Sequence, residues 1–359
     1  MVVKQSLMGA AVAVLLGGMF AGPAGAHSSL RVDTFQQQNL VSDQPGVATL
    51  TDPDLVNSWG ISRGPNSAVW VSDNGADVST LYTGAVGSTP VSKVPLVVSV
   101  PGGAPTGQVF NDTTAFQVPG TTQSALFIFA GEHGDLSAWN PAVSPRTAAV
   151  SVGHVPGAVF KSLALVHTHR GPRLLAADFH GNRIDVFNER FHGVRTAPGA
   201  FRDRSLPRGY APFNIAEVGG RVFVTYALRD AQGEDDVAGA GHGFVDVYSD
   251  GGAFLRRFAS RGVLNSPWGM TIAPQGFGHV SGDLLVGNFG DGRIHAFDPR
   301  TGSLRATLRN TSGRPLTIEG LWALVVGNPV AGGTDAVWFS SGPDDEEHGL
   351  VGLLRLAAR

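Results

Sequence analysis

One unit of local sequence recurs six times along this chain, and that recurrence restricts the fold more than any other feature. Each unit carries a short apolar run, a turn rich in Gly, Asp, Asn or His, and an alternating run built around an aromatic or apolar residue. The apolar runs fall at 69–73, 126–129, 174–178, 222–225, 284–288 and 337–340, and their partners at 79–83, 136–140, 184–188, 245–249, 294–298 and 351–355. Alternation with a period of two marks a half-buried strand. Tyr82 and Leu354 are equivalent positions 272 residues and five intervals apart, so the period is roughly 54, near that of a propeller blade.

A further strand precedes each pair. Trp59-Gly60-Ile61, Trp268-Gly269-Met270 and Trp322-Ala323-Leu324 mark it, with weaker equivalents at Ala115-Phe116, Leu163-Ala164-Leu165 and Phe213-Asn214-Ile215. All six tryptophans occupy repeat positions, which suits packing between blades better than a cofactor role. Outer strands are expected at 94–100, 148–153, 254–259 and 303–308, while the third unit's is poorly marked. The sixth unit ends three strands in, and residues 34–42 have no unit of their own. The expected fold is therefore all-β, a six-bladed β-propeller of four-stranded blades whose N-terminal strand, 34–42, completes the last blade and leaves no open seam in the ring.

The 49 glycines and 22 prolines suit many tight turns. With no cysteine, disulfides, thiolate metal sites and a cysteine nucleophile are excluded. A formal charge of −3 without a basic stripe argues against a nucleic-acid partner. Lys4, an apolar stretch over 8–20 and Ala24-Gly25-Ala26 have the order of a signal peptide. The expectation is a cleaved leader at 1–26, one propeller domain over 27–359, a secreted or extracytoplasmic location, no transmembrane span, and a monomer.

Asn39–Asp43, Pro53–Ile61, Trp70–Gly75 and Ser281–Gly292 resemble a family of exported bacterial propellers with no assigned function. Ala177–Ile184 and the unit around Asp291 are more distantly similar to NHL repeats, whose relatives include lyases, lactonases and binding modules. The resemblance implies the propeller fold and leaves the chemistry open.

In a propeller, the loops leading into the innermost strands and those between second and third strands share one face, the default ligand site. The first set carries Asn57, Asn111, Asp112, Lys161, Asn214, Asn265 and Glu319; the second carries Glu132, His133, Asp178, His180, Asp344, Asp345 and His348 among others. Glu319, Asn57, Asn265 and Asn111 form a candidate set for Ca2+ or another divalent cation, since a carboxylate with amide oxygens suits a hard ion. Glu319-Gly320 is similar to the metal-ligating Glu-Gly of lactonase propellers. The bland alternative is that these side chains cap strand ends. Glu132, His133, Asp178 and His180 form a candidate catalytic acid/base set, and His348 stands on the same face. The long loop 229–243 reads as a lid or a solvated surface loop.

Three functions remain. The first is an extracytoplasmic propeller binding a small molecule, a glycan or a protein at one mouth of its channel. The second is a metal-assisted lactonase, esterase or lyase on the same face. The third is a structural or adhesive surface protein. Whether the chain is an enzyme is left open by its residues.

Overall fold

The computed structural model describes residues 33–358; the expected leader, 1–26, lies outside the described residues. Six sheets follow one another along the chain, antiparallel throughout except for the short parallel pairing of Val41-Ser42 with Leu50–Thr51 at the edge of the last. Their innermost strands are Ser58–Arg63, Pro105–Phe110, Phe160–Thr168, Tyr210–Val218, Pro267–Ile272 and Leu321–Val326, in the first to sixth blades. Each lies against the next, and Leu321–Val326 lies against Ser58–Arg63, so the ring is closed. Among the described residues no helix is long and apolar enough to cross a membrane.

Blades two, four and five have four strands in simple up-and-down order. The first blade's outer strand is split into Ser92–Lys93 and Val98–Ser99. The third blade departs from the four-stranded expectation. It stops at Arg183–Phe187, with only an isolated bridge from Phe187 to Gly193 beyond it. The sixth blade is completed as expected: Phe35–Ser42 runs antiparallel to Leu350–Leu356, pairing Phe35 with Leu356 and Ser42 with Leu350. The first and last strands of the described residues thus share one sheet, and the otherwise unpaired edge of the last blade is covered. Phe35 is 1% exposed and packs on Phe277 with ring centroids 4.7 Å apart.

Every inner strand carries a bulge at the same place. The register slips between Ser58 and Ile61, Pro105 and Gln108, Phe160 and Ser162, Pro212 and Asn214, Pro267 and Met270, and Leu321 and Leu324. A bulge breaks the ladder and re-aims a side chain, and the freed carbonyls must find other donors. Neighbouring blades supply them. Gln108 donates from Nε2 to the carbonyls of Gly60 at 2.8 Å and Trp70 at 3.1 Å, and Thr106 Oγ1 donates to Phe160 O at 2.7 Å. Asn214 Nδ2 donates to Trp268 O, and Ser340 Oγ to Trp59 O. The approach is close enough that a Cβ on Gly60 would collide with the carbonyl of Thr106, which explains the glycine of the Trp-Gly signature.

The polar stitching also explains one misplacement. Ala115-Phe116 is not the second blade's inner strand; Pro105–Phe110 is. Its start, Pro-Thr-Gly-Gln, is spent on hydrogen bonds to the first and third blades and lacks the apolar signature of its equivalents. Residues 111–126 are instead a long hairpin connection in which Phe116 is buried with φ at +60°.

Candidate functional site

The bulges decide what fills the channel. At the bulge of each blade stand Trp59, Thr106, Lys161, Phe213, Trp268 and Trp322, and the aromatic ones converge. Trp59 and Phe289 stack on Trp322 at 3.8 and 4.0 Å between centroids. Two rings that close to one centroid must occupy its opposite faces. Trp268 and Phe213 meet Trp322 at 5.6 and 5.7 Å, and Phe179 meets Phe213 at 5.3 Å. One end of the channel is thereby plugged. The other tryptophans behave as expected of inter-blade packing: Trp70 stacks on Phe127 at 4.1 Å and touches Trp139.

Lys161 stands where three other blades have Trp and one has Phe. It is 2% exposed, and its ammonium lies 5.1 Å from the Trp59 ring centroid. Nζ contacts Glu132 Oε1 at 2.5 Å and Asp235 Oδ1 at 3.1 Å. Burial alone would lower its pKa, but the two carboxylates outweigh burial and hold the ammonium above its ordinary value. Asn74 Nδ2 donates to the other oxygen of Glu132 at 3.1 Å. Asn57 Nδ2 donates to Asn74 Oδ1 at 3.3 Å and to Glu346 Oε2 at 2.8 Å. Burial raises the pKa of Glu346, against the Asn57 hydrogen bond, and burial also raises that of Asp236. Glu346 ends a run of three non-glycine residues, Asp344, Asp345 and Glu346, with φ of +54°, +52° and +69°. Such conformations are costly and persist where the surroundings impose them.

The structure distributes the expected site residues differently. Asn111 follows the inner strand of its blade and belongs to the opposite end of the channel; its Oδ1 accepts from Thr113 N at 3.0 Å and Thr113 Oγ1 at 2.6 Å. Asn57 Oδ1 accepts from Trp59 Nε1 at 2.9 Å, and Asn265 Oδ1 from Gly239 N at 2.6 Å. Glu319 is exposed, and its carboxylate lies 3.4 Å from Asp344 N. With Asn111 at the opposite end of the channel, the four residues are not gathered at one place, and each of the three amide oxygens accepts a hydrogen bond from the protein. No group of three or more His, Asp or Glu arranged to hold a metal occurs among the described residues.

Of the acid/base set, Glu132 joins the Lys161 cluster and His133 is exposed beside it. Asp178 is fully buried; its Oδ1 accepts from Gly181 N at 2.8 Å and Val159 N at 3.2 Å, and Arg183 lies 2.8 Å from Oδ2. Burial raises its pKa. No hydrogen bond joins it to the exposed His180, whose carbonyl accepts from Arg229. His348 instead holds the ring closure, with Nδ1 2.7 Å from Asp43 Oδ2. Loop 229–243 is docked rather than loose, since Asp235 reaches Lys161 and Gly239 donates to Asn265. Glu346 escaped the sequence reading because an Asp-Asp-Glu-Glu run carries no mark of a left-handed turn.

The open end is the other one. A cavity of about 740 Å³ is walled by all six inner strands and reaches the hairpins that follow them. Ile61, Phe110, Leu165, Ile215, Met270 and Val326 give its wall apolar patches, interleaved with the polar Ser62, Gln108, Ser162, Asn214 and Thr271. Its charged lining residues are Arg63, Asp112, His167 and Glu217. His167 bridges two carboxylates, Nε2 at 2.9 Å from Asp112 and Nδ1 at 3.2 Å from Glu217. Burial opposes the charged imidazole, and the two acids outweigh it to raise the pKa.

No protein-family model matches the chain. A streptogramin B lyase structure is similar over 90% of this chain and 97% of its own, at 11% identity and a TM-score of 0.50, a likeness of fold alone. An uncharacterized protein of Acanthamoeba polyphaga mimivirus is 35% identical over 335 residues, 90% of this chain and 80% of its own. A second from the same virus is 32% identical over 353 residues, 93% and 89%. These relatives are viral, so the bacterial character implied by the resemblance is not supported. At this identity and coverage, the chain belongs to one family with these uncharacterized mimivirus proteins, a family built as six-bladed propellers.

Proposed function

We propose that this protein is a small-molecule-binding propeller that works outside the cytoplasm and holds its ligand in the blind central cavity. The observation that carries this reading is the cavity, whose volume of about 740 Å³ falls within the range of ligand sites. A concave site walled by six strands and closed at one end by stacked aromatics favours a small molecule over a protein. The test is a thermal-unfolding screen of residues 27–359 against apolar and amphipathic small molecules. A ligand at about 100 times its Kd adds roughly 2.7 kcal/mol, read as a rise in Tm. Thr271→Trp, which fills the cavity from the fifth blade, should abolish the response; a response that survives in the folded variant refutes the reading.

A second reading is supported by the left-handed turn that delivers Glu346. A carboxyl with a raised pKa beside a buried ammonium is a candidate general acid for a lyase or hydrolase at the plugged end. Lactone, ester and lyase substrates offered with and without divalent cations would test it, and activity insensitive to Glu346→Gln would count against it.

A further inference from the structure

Of the four charged residues lining the cavity, Arg63 alone makes no ion pair among the described residues. Asp112 and Glu217 are both held by His167, and Glu217 Oε2 also accepts from the His167 amide at 3.2 Å. Arg63 is different. It closes the inner strand of the first blade, half-buried, and Nε donates to Val326 O of the sixth blade at 2.7 Å. That single bond fixes the plane of the guanidinium. No carboxylate lies within ion-pair distance among the described residues, and neither terminal nitrogen has a protein acceptor there. Burial without a counter-charge lowers its pKa, the sign of a cation whose solvation has been partly removed and not replaced. The lining of the first and sixth blades includes the apolar Ile61, Val325 and Val326 as well as the polar Ser62.

We propose that the cavity takes an amphipathic organic anion, whose apolar body fills the channel and whose carboxylate or sulfonate pairs with Arg63 at the rim. The proposal rests on the channel being the ligand site and adds the ligand's chemistry and the residue that selects it. A guanidinium with two free terminal nitrogens in a fixed plane presents the fork that binds an oxyanion through two parallel hydrogen bonds. An apolar wall alone would accept any lipophilic molecule; the unmatched cation makes the site discriminate by charge, because a neutral ligand of the same shape leaves the guanidinium desolvated and unpaired.

The experiment compares two fluorescent probes of nearly the same size, the anionic anilinonaphthalene sulfonate and the neutral phenylnaphthylamine, on residues 27–359. Decanoate and decanol serve as competing ligands without rings. Both probes should bind one to one and be lost in Thr271→Trp or, should that variant not fold, in Val325→Trp. The anionic probe should bind about tenfold or more tightly than the neutral one, and decanoate should displace it better than decanol. Arg63→Met should bring the anionic probe down to the neutral probe's affinity. Equal affinities in the native protein, or a preference that survives Arg63→Met, overturn the assignment of an anion while leaving channel binding intact. Equal weakening of both probes by Arg63→Met makes Arg63 a tie between the first and sixth blades and also overturns it. Binding of both probes that persists in a folded cavity-filling variant refutes the channel site itself.

Discussion

His295 gives the sharpest test of how the blades are packed. It lies on the third strand of the fifth blade and is 2% exposed. Asn288 Nδ2 faces Nε2 at 3.3 Å and Thr307 Oγ1 faces Nδ1 at 2.9 Å. The Asn288 amide spends its two hydrogens on Val263 O at 2.8 Å and Asp291 Oδ1 at 3.0 Å, and an NH2 group accepts nothing, so the ring proton belongs on Nδ1 and a second one would have no acceptor at Nε2. Burial lowers the pKa from 6.5 to about 4, with the nearby Asp291 opposing the shift and Arg293 adding to it. A displacement of that size corresponds to roughly 3 kcal/mol.

The sign follows from proton counting. Above pH 6.5 the imidazole is neutral in both folded and unfolded chains, and the site costs nothing. Between 6.5 and about 4 the unfolded chain takes a proton that the folded protein refuses, so stability falls as pH falls. His295→Gln keeps a polar side chain and does not titrate. Urea unfolding of both proteins at several pH values between 7 and 4 should show the native protein losing roughly 3 kcal/mol more than the variant. Other carboxylates titrate in the same range, but they are common to both proteins and cancel in the difference. Parallel stability curves would refute the reasoning, as would a ring nitrogen spectrum showing the Nε2-protonated tautomer.

Three other outcomes are expected. Phe35→Ala removes a buried ring from the closing strand and should cost about 3–5 kcal/mol in chemical unfolding, far more than an exposed substitution. The Asp43 hydrogen bond raises the His348 pKa, so its stabilising effect is complete below about 6.5 and is lost as pH rises through the folded value; Asp43→Asn should remove that dependence from a Tm-against-pH profile. Lys161→Met should destabilise by about 1–2 kcal/mol, less than for an enclosed ion pair, because Asp235 is 76% and Glu132 26% exposed; urea unfolding measures it.

Strand pairs, blade number and ring closure were legible because each depends on local pattern. The alternation in 79–83 or 245–249 marks a strand whatever surrounds it, and 34–42 was the one strand-like segment without a unit. The second blade's inner strand was not legible, since Thr106 and Gln108 are chosen for hydrogen bonds to other blades and leave no apolar mark. The third blade's missing fourth strand was visible only as a weak signal.

The candidate site divides the same way. Repeat register sets Asn57, Glu132, Asn265 and Lys161 toward one end of the channel, while Asn111 and Asp112 follow the inner strand Pro105–Phe110 to the other. What register could not disclose is which end is open. That depends on where six bulges aim six side chains, and Trp59, Phe213, Trp268 and Trp322 close one mouth only because the ring brings together residues up to 263 positions apart. The sequence by itself determined the blades, because a period of two is written in neighbouring residues. Only the tertiary structure decided the plug, the buried Lys161 cluster and the unmatched Arg63, because each depends on distances between blades.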